Sequence, residues 1–140
     1  YNYGAGGTGL DFAVKTLSEV YIPESRRQIF IITVPHFFRR TWFDDDGVVM
    51  RPWQVKEKTN INEYNQYFNF LHHYNILNTF VGRDKIIWGT WDGDLPAEYF
   101  DVNFDLVDTT EDGLHPGPKA HKQYADKIKK VIKEKYESTR

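Results

Sequence analysis

Apolar residues recur at helical spacing in three stretches of the chain. Leu10, Ala13, Val14, Leu17 and Val20 share one side of a helical wheel, with Asp11, Lys15 and Glu19 elsewhere on it. That pattern predicts an amphipathic helix stopped by Pro23. Ile61, Tyr64, Phe68 and Leu71 predict a second, longer helix, and Tyr67, Phe70, Tyr74 and Leu77 lie one face over. So wide an apolar sector implies packing on more than one side, with Asn60 as the N-cap and Gly82 just beyond the last turn. The third helix runs from 118 to about 136, turning Tyr124, Ile128, Val131 and Ile132 inward and a lysine-rich face outward.

Between the helices the period changes. Residues 28–34, Gln-Ile-Phe-Ile-Ile-Thr-Val, form a β-branched run of the kind that is buried on both faces of a parallel sheet. Lys85-Ile86-Ile87-Trp88-Gly89-Thr90 reads as another short strand, Tyr1-Asn2-Tyr3 as the tail of one, and 104–107 as at most a short strand. Regular periodicity lapses from 35 to about 60, a long loop of aromatic, acidic and basic residues. Strand tail, helix, strand, long loop, helix, strand, loop, helix is the order of right-handed crossovers around a parallel sheet. In such sheets the active groups gather at the carboxyl ends of the strands. The glycine-rich turn after Tyr3, the loop after Thr33 and the turn before the last helix are all expected at that edge.

Composition narrows the function more than the fold. The chain has 140 residues, 40% hydrophobic and 27% charged, enough for one folded domain with a real core. A net charge of -2 gives no electrostatic reason to expect nucleic acid. The apolar runs are too short to span a bilayer, so no membrane partner is expected. Zero cysteines exclude disulfides, thiol nucleophiles and thiolate metal sites. Tyr1 is not an initiator methionine, and the strand tail it begins suggests the C-terminal portion of a longer polypeptide.

Candidate chemistry concentrates in Asp112-Gly113-Leu114-His115-Pro116. An acid three positions before a histidine, across a glycine turn, can set a carboxylate against Nδ1–H and leave Nε2 free to accept a proton. Gly117 then serves as N-cap and Pro118 as the first helical residue. The alternative is an ordinary Asp-Gly surface turn.

These residues resemble two blocks of the SGNH (GDSL-type) hydrolases. Asn2-Tyr3-Gly4-Ala5-Gly6-Gly7-Thr8 is similar to the family's Asn and Gly-rich turn, and Asp112-Gly113-Leu114-His115-Pro116 to the block that completes a Ser–His–Asp triad. The resemblance spans nearly the whole chain, but only its two ends are specific. It implies a three-layer α/β/α domain, flavodoxin-like, over residues 1–140, with a parallel sheet whose first, central strand is missing. It implies ester hydrolysis, on a small-molecule or carbohydrate ester, with His115 as base, Asp112 as its partner and the Gly7 N–H in the oxyanion hole. No metal or organic cofactor is required.

Two departures qualify the pattern. The family's serine belongs to an earlier block. Ser18 and Ser25 lie at a helix end and beside a proline, and Ser138 lies in the tail. The serine, with the missing strand, is therefore expected upstream of Tyr1 or from a companion segment or chain; otherwise it has been lost. The family's Gly-x-Asn-Asp is replaced by Thr33-Val34-Pro35-His36, and Pro35 has neither a side-chain donor nor an N–H. His36, Arg39 and Arg40 are the substitute donors or substrate contacts. The long aromatic insert resembles irregular phage-borne members, which implies an extracellular or virion-associated setting. The rival reading is a non-catalytic binding or structural module, for example in a phage virion.

Other motifs carry less. His72 and His73 are adjacent on a helix, about 100° apart, and do not face one metal together. His115 and His121 lack a third ligand at a recognisable spacing. Asp44-Asp45-Asp46-Gly47 lacks the spacing of a calcium loop. Residues 4–9 match G-x-G-x-x-G, but Arg26-Arg27 stand where a dinucleotide site needs an acid. Trp42, Trp53, Trp88 and Trp91 serve the core or a sugar-stacking rim.

Overall fold

Two parallel pairings organise the strands of the computed structural model. It describes residues 9–25, 28–34, 42–43, 49–50, 63–91, 93, 95–113 and 115–137, the side chains at 42–43, 49–50 and 63–66 excepted. The chain folds into two compact units, one holding residues 1–28 and 36–85, the other 29–35 and 86–140.

The second unit contains the sheet. Strands β1 (Phe30–Val34), β4 (Ile86–Thr90) and β5 (Val102–Asn103) lie in the order β1-β4-β5, all parallel. Phe30 pairs with Ile86 and Val34 with Thr90, while Gly89 pairs with Val102. The mixed α/β class and the parallel sheet expected from the alternation are thus present. β4 has a bonded neighbour on either side, and all five of its residues are buried. β1 differs from the expectation of burial on both faces. Ile32 and Val34 are buried, whereas Ile31 is 49% exposed and Thr33 is open on the same face. A run of β-branched residues reports strand propensity, but which faces are covered depends on neighbours it does not encode.

β5 also departs from expectation, starting two residues earlier than the predicted 104–107. Val102 and Phe104 are buried at alternate positions, and the Phe104 N–H donates to Thr90 O at 2.6 Å. Leu106 and Val107 are exposed. Helix α3 (Pro118–Ile132) follows, continued by a π-helical turn to Glu137, and contacts β5. It buries Ala120 fully, and Tyr124, Ile128, Val131 and Ile132 in part. Its lysines are solvated as expected and several meet acids, Lys127 reaching Asp105 at 2.5 Å and Lys122 reaching Asp126 at 3.3 Å. Such surface pairs contribute about 0–1 kcal/mol each.

The first unit packs α1 (Leu10–Val20) against α2 (Glu63–Val81), and also contains the antiparallel pair β2 (Trp42–Phe43) and β3 (Val49–Met50). α1 covers the predicted apolar positions from Leu10 to Val20, ends before Pro23, and buries Leu10 and Leu17. The predicted N-cap of α2, Asn60, lies outside the described residues, but its end is as expected. Gly82 takes φ +98 and its N–H donates to Asn78 O at 3.1 Å, a left-handed helix stop suited to glycine. Of the predicted stripe of α2, Phe70 and Leu77 are buried, Tyr67, Leu71 and Tyr74 are half-buried and Phe68 is exposed, while Ile61 and the Tyr64 side chain lie outside the described residues. Beyond α1 the chain is pinned to the end of α2. Tyr21 donates to Val81 O at 3.3 Å, and Lys85 Nζ reaches Pro23 O at 3.4 Å and Ser25 O at 3.3 Å. The strand tail expected at Tyr1-Asn2-Tyr3 lies outside the described residues.

Candidate active site

The segment leaving the carboxyl end of β5 must reverse direction before α3 begins. Residues 108–117 do so as a narrow loop closed at its neck. The Gly117 N–H donates to Asp108 O at 2.9 Å, Thr109 and Pro116 form an antiparallel bridge, and the Thr110 N–H donates to His115 O at 2.8 Å. At the tip Gly113 adopts φ +68, the left-handed region that glycine enters without a Cβ penalty, and its N–H donates to Thr110 O at 2.9 Å.

Within this loop Asp112 and His115 meet. The carboxylate Oδ2 faces His115 Nδ1 in a short hydrogen bond. Oδ1 accepts from the His115 N–H at 3.0 Å and from the Thr110 hydroxyl at 2.6 Å. A carboxylate oxygen accepts, so the proton is on Nδ1, and Nε2 of the neutral ring is left with its lone pair. The imidazole is 67% exposed and the Asp112 side chain 45%. A ring so placed can take a proton from a group brought to Nε2.

The same loop fixes the start of α3. Gly117 is the N-cap and Pro118 the first helical residue, as the sequence predicts. Gly117 has no side chain to accept from the first turn. Asp108 supplies the acceptors instead: its carboxylate accepts from the Lys119 N–H at 3.0 Å and the Ala120 N–H at 2.7 Å. A Cβ on Gly117 would stand 2.5 Å from Asp108 Oδ2, so the cap requires glycine there. Sequence reasoning missed both Asp108 and Thr110. The only signal was a polar Asp108-Thr109-Thr110 run preceding an N-cap that cannot cap itself.

Comparison with family models, with curated proteins and with solved structures returns no match to this chain. The site therefore rests on its own geometry. Of the candidate residues, His115 and Asp112 are brought together; Gly7, His36, Arg39 and Arg40 lie outside the described residues. Ser18, on α1, donates to Lys15 O at 2.6 Å, a bond within its own helix.

The other described histidines, His72, His73 and His121, have neighbours of their own. His121 stands edge-on to Phe104, centroids 5.8 Å apart, and Phe104 in turn meets Trp91 and Tyr124. His73 Nδ1 lies 2.8 Å from Asn69 O and Nε2 3.0 Å from Asp11 Oδ1. The His72 and His73 rings are nearly perpendicular. Among the described residues no group of three or more His, Asp or Glu is arranged to hold a metal, and no helix is long and apolar enough to cross a membrane.

Proposed function

We propose that this chain carries the acid–base half of an ester hydrolase site on a three-layer SGNH-type fold. The observation that supports this is the Asp112–His115 pair, its Nδ1 bonded to carboxylate and its Nε2 open, in the loop between the last parallel strand and the last helix. The parallel order β1-β4-β5, with α3 following β5, is compatible with that fold.

The reaction is acyl transfer to water. A serine contributed by polypeptide outside these 140 residues attacks an ester carbonyl while His115 Nε2 takes its proton. The imidazolium, stabilised by Asp112, returns that proton to the leaving alcohol. Water then enters by the same route in reverse, with His115 again as base. The resemblance to the family assigns the oxyanion to the Gly7 N–H and the serine's own N–H, with His36, Arg39 or Arg40 in place of the family's Asn. An acylated carbohydrate is the substrate class that the long aromatic insert suits, since aromatic faces stack on sugars.

One feature favours the second reading, a non-catalytic module of the same fold. Pro35 stands where an oxyanion-donating Asn belongs, and loss of one such donor costs about 10²–10³ in rate. Release of p-nitrophenol from a short-chain acyl ester by the full-length polypeptide, beside His115→Ala, separates the two. The hydrolase reading expects turnover that the substitution abolishes. Equal rates for the two proteins exclude His115 as the base, and no turnover in either supports the module.

A further inference from the structure

Asp112 has two carboxylate oxygens, and the loop gives them different tasks. Oδ1 accepts from the Thr110 hydroxyl at 2.6 Å and the His115 N–H at 3.0 Å, and Oδ2 faces His115 Nδ1. The Thr110 hydroxyl has one hydrogen. Its other acceptor, His115 O, is at 3.4 Å, so that hydrogen goes to Asp112. The Thr110 backbone meanwhile holds the second member of the pair, its N–H donating to His115 O at 2.8 Å. One residue thus grips the carboxylate by its side chain and the histidine by its main chain.

This grip matters because burial does not hold the pair. With the imidazole 67% exposed and Asp112 45%, water competes for every bond they make. An exposed carboxylate turns about χ2, and the Thr110 hydroxyl adds to the His115 N–H a second donor that fixes Oδ1. Anchoring Oδ1 removes that freedom and leaves Oδ2 on the ring.

We propose that Thr110 is a positioning residue: acting through Asp112, it holds His115 in the Nδ1–H tautomer with Nε2 open. The tautomer is a property of the loop and does not depend on any reaction. That Thr110 also supports turnover rests on the ester-hydrolase reading.

The test is ¹⁵N NMR of the imidazole nitrogens of the full chain at about pH 8.5, where an ordinary histidine is neutral, in the wild type, Thr110→Val and Thr110→Ser. The wild type and the serine variant are expected to show Nδ1–H. The valine variant, of the same shape without the hydroxyl, is expected to move the tautomer ratio toward Nε2–H by roughly twofold to tenfold, the effect of one hydrogen bond on an equilibrium. A valine variant with the wild-type ratio overturns the proposal. Thr110→Ala provides the same comparison should valine disturb the turn.

Ester turnover by the full-length polypeptide separates this proposal from the function it serves. A tautomer shift in Thr110→Val, with no turnover in the wild type, supports the positioning role and removes the hydrolase. Turnover in the wild type, with neither kcat nor tautomer altered in Thr110→Val, removes the positioning role and keeps the hydrolase. If both hold, kcat falls in Thr110→Val while KM stays, because the substitution alters the base and not the binding of ester.

Discussion

The hydroxyl of Tyr124 occupies the space that a side chain on Gly89 would need: a Cβ there would lie 1.9 Å from the hydroxyl oxygen and 2.9 Å from Cζ. Glycine inside a fully buried strand lacks a side chain to pack and is usually a weakness. Here it lets α3 bring a tyrosine onto the backbone of β4, and the hydroxyl then meets Thr33 Oγ1 at 2.7 Å. Gly89→Ala is expected to destabilise the protein by about 1–3 kcal/mol, as overpacking does. The Tyr124→Phe background should return part of that loss, since the closest of the clashing atoms is then gone. Urea unfolding of the four proteins of this cycle measures the coupling, and strictly additive losses would show that the two residues do not compete for the space.

Burial also sets how this tyrosine responds to alkali. It pushes the Tyr124 hydroxyl above its ordinary value of 10.0, with the Thr33 hydrogen bond acting in the opposite direction. The neutral form is therefore favoured in the folded state. Its contribution is complete below pH 10 and is lost as pH rises from there through the raised value, because the unfolded chain releases that proton first. Stability measured from pH 9 to about pH 11.5 should fall less steeply in Tyr124→Phe than in the wild type. Parallel curves would show that Tyr124 titrates alike in both states.

What was legible in the sequence was what neighbours along the chain decide. The helical spacing of α1, the stop at Gly82 and the start at Gly117-Pro118 rest on periodicity and on backbone preferences of single residues, and all three stand in the structure. The Asp112–His115 contact is of the same kind, since the two residues stand three positions apart around a left-handed glycine. Burial was less legible. Ile31 and Ile32 look alike in sequence, as do Phe68 and Phe70, yet one of each pair is exposed and the other buried. Nor does the sequence reveal that Gly117 draws its helix cap from Asp108, nine positions earlier, because glycine has no acceptor and the loop must close before one arrives.

That remote cap leads to the next expectation. Asp108 bonds two N–H groups at the positive end of the α3 dipole and, through its carbonyl, closes the neck of the histidine loop. Asp108→Ala removes the first function and keeps the second, so it should cost about 1–2 kcal/mol, the usual effect of losing a cap. Gly117→Ala keeps the carboxylate but sets a Cβ against it, and should displace the cap with a similar loss. In the double variant the losses should be well short of additive, because both substitutions act on one contact. Thermal unfolding checks this; additive shifts would mean that Gly117 matters for another reason.

In the helical unit, His73 ties α2 to the first turn of α1. Its Nδ1 lies 2.8 Å from Asn69 O, an acceptor, and its Nε2 3.0 Å from Asp11 Oδ1, also an acceptor when ionised. Both contacts are complete only when both ring nitrogens carry hydrogen, which makes the link to Asp11 an ion pair. The side chains are only 15% and 22% exposed, so solvent screens the pair less than it screens the lysine–acid pairs on α3. Gly9 caps α1 without a side-chain bond, and Asp11 stands in the first turn, where a negative charge also suits the helix dipole. His73→Gln and Asp11→Asn, alone and together, should yield a coupling of about 1 kcal/mol or more in a double-mutant cycle, against a few tenths for Lys122 with Asp126 on the exposed face of α3. A coupling no larger than that of the surface pair would mean that burial adds nothing to the His73–Asp11 contact.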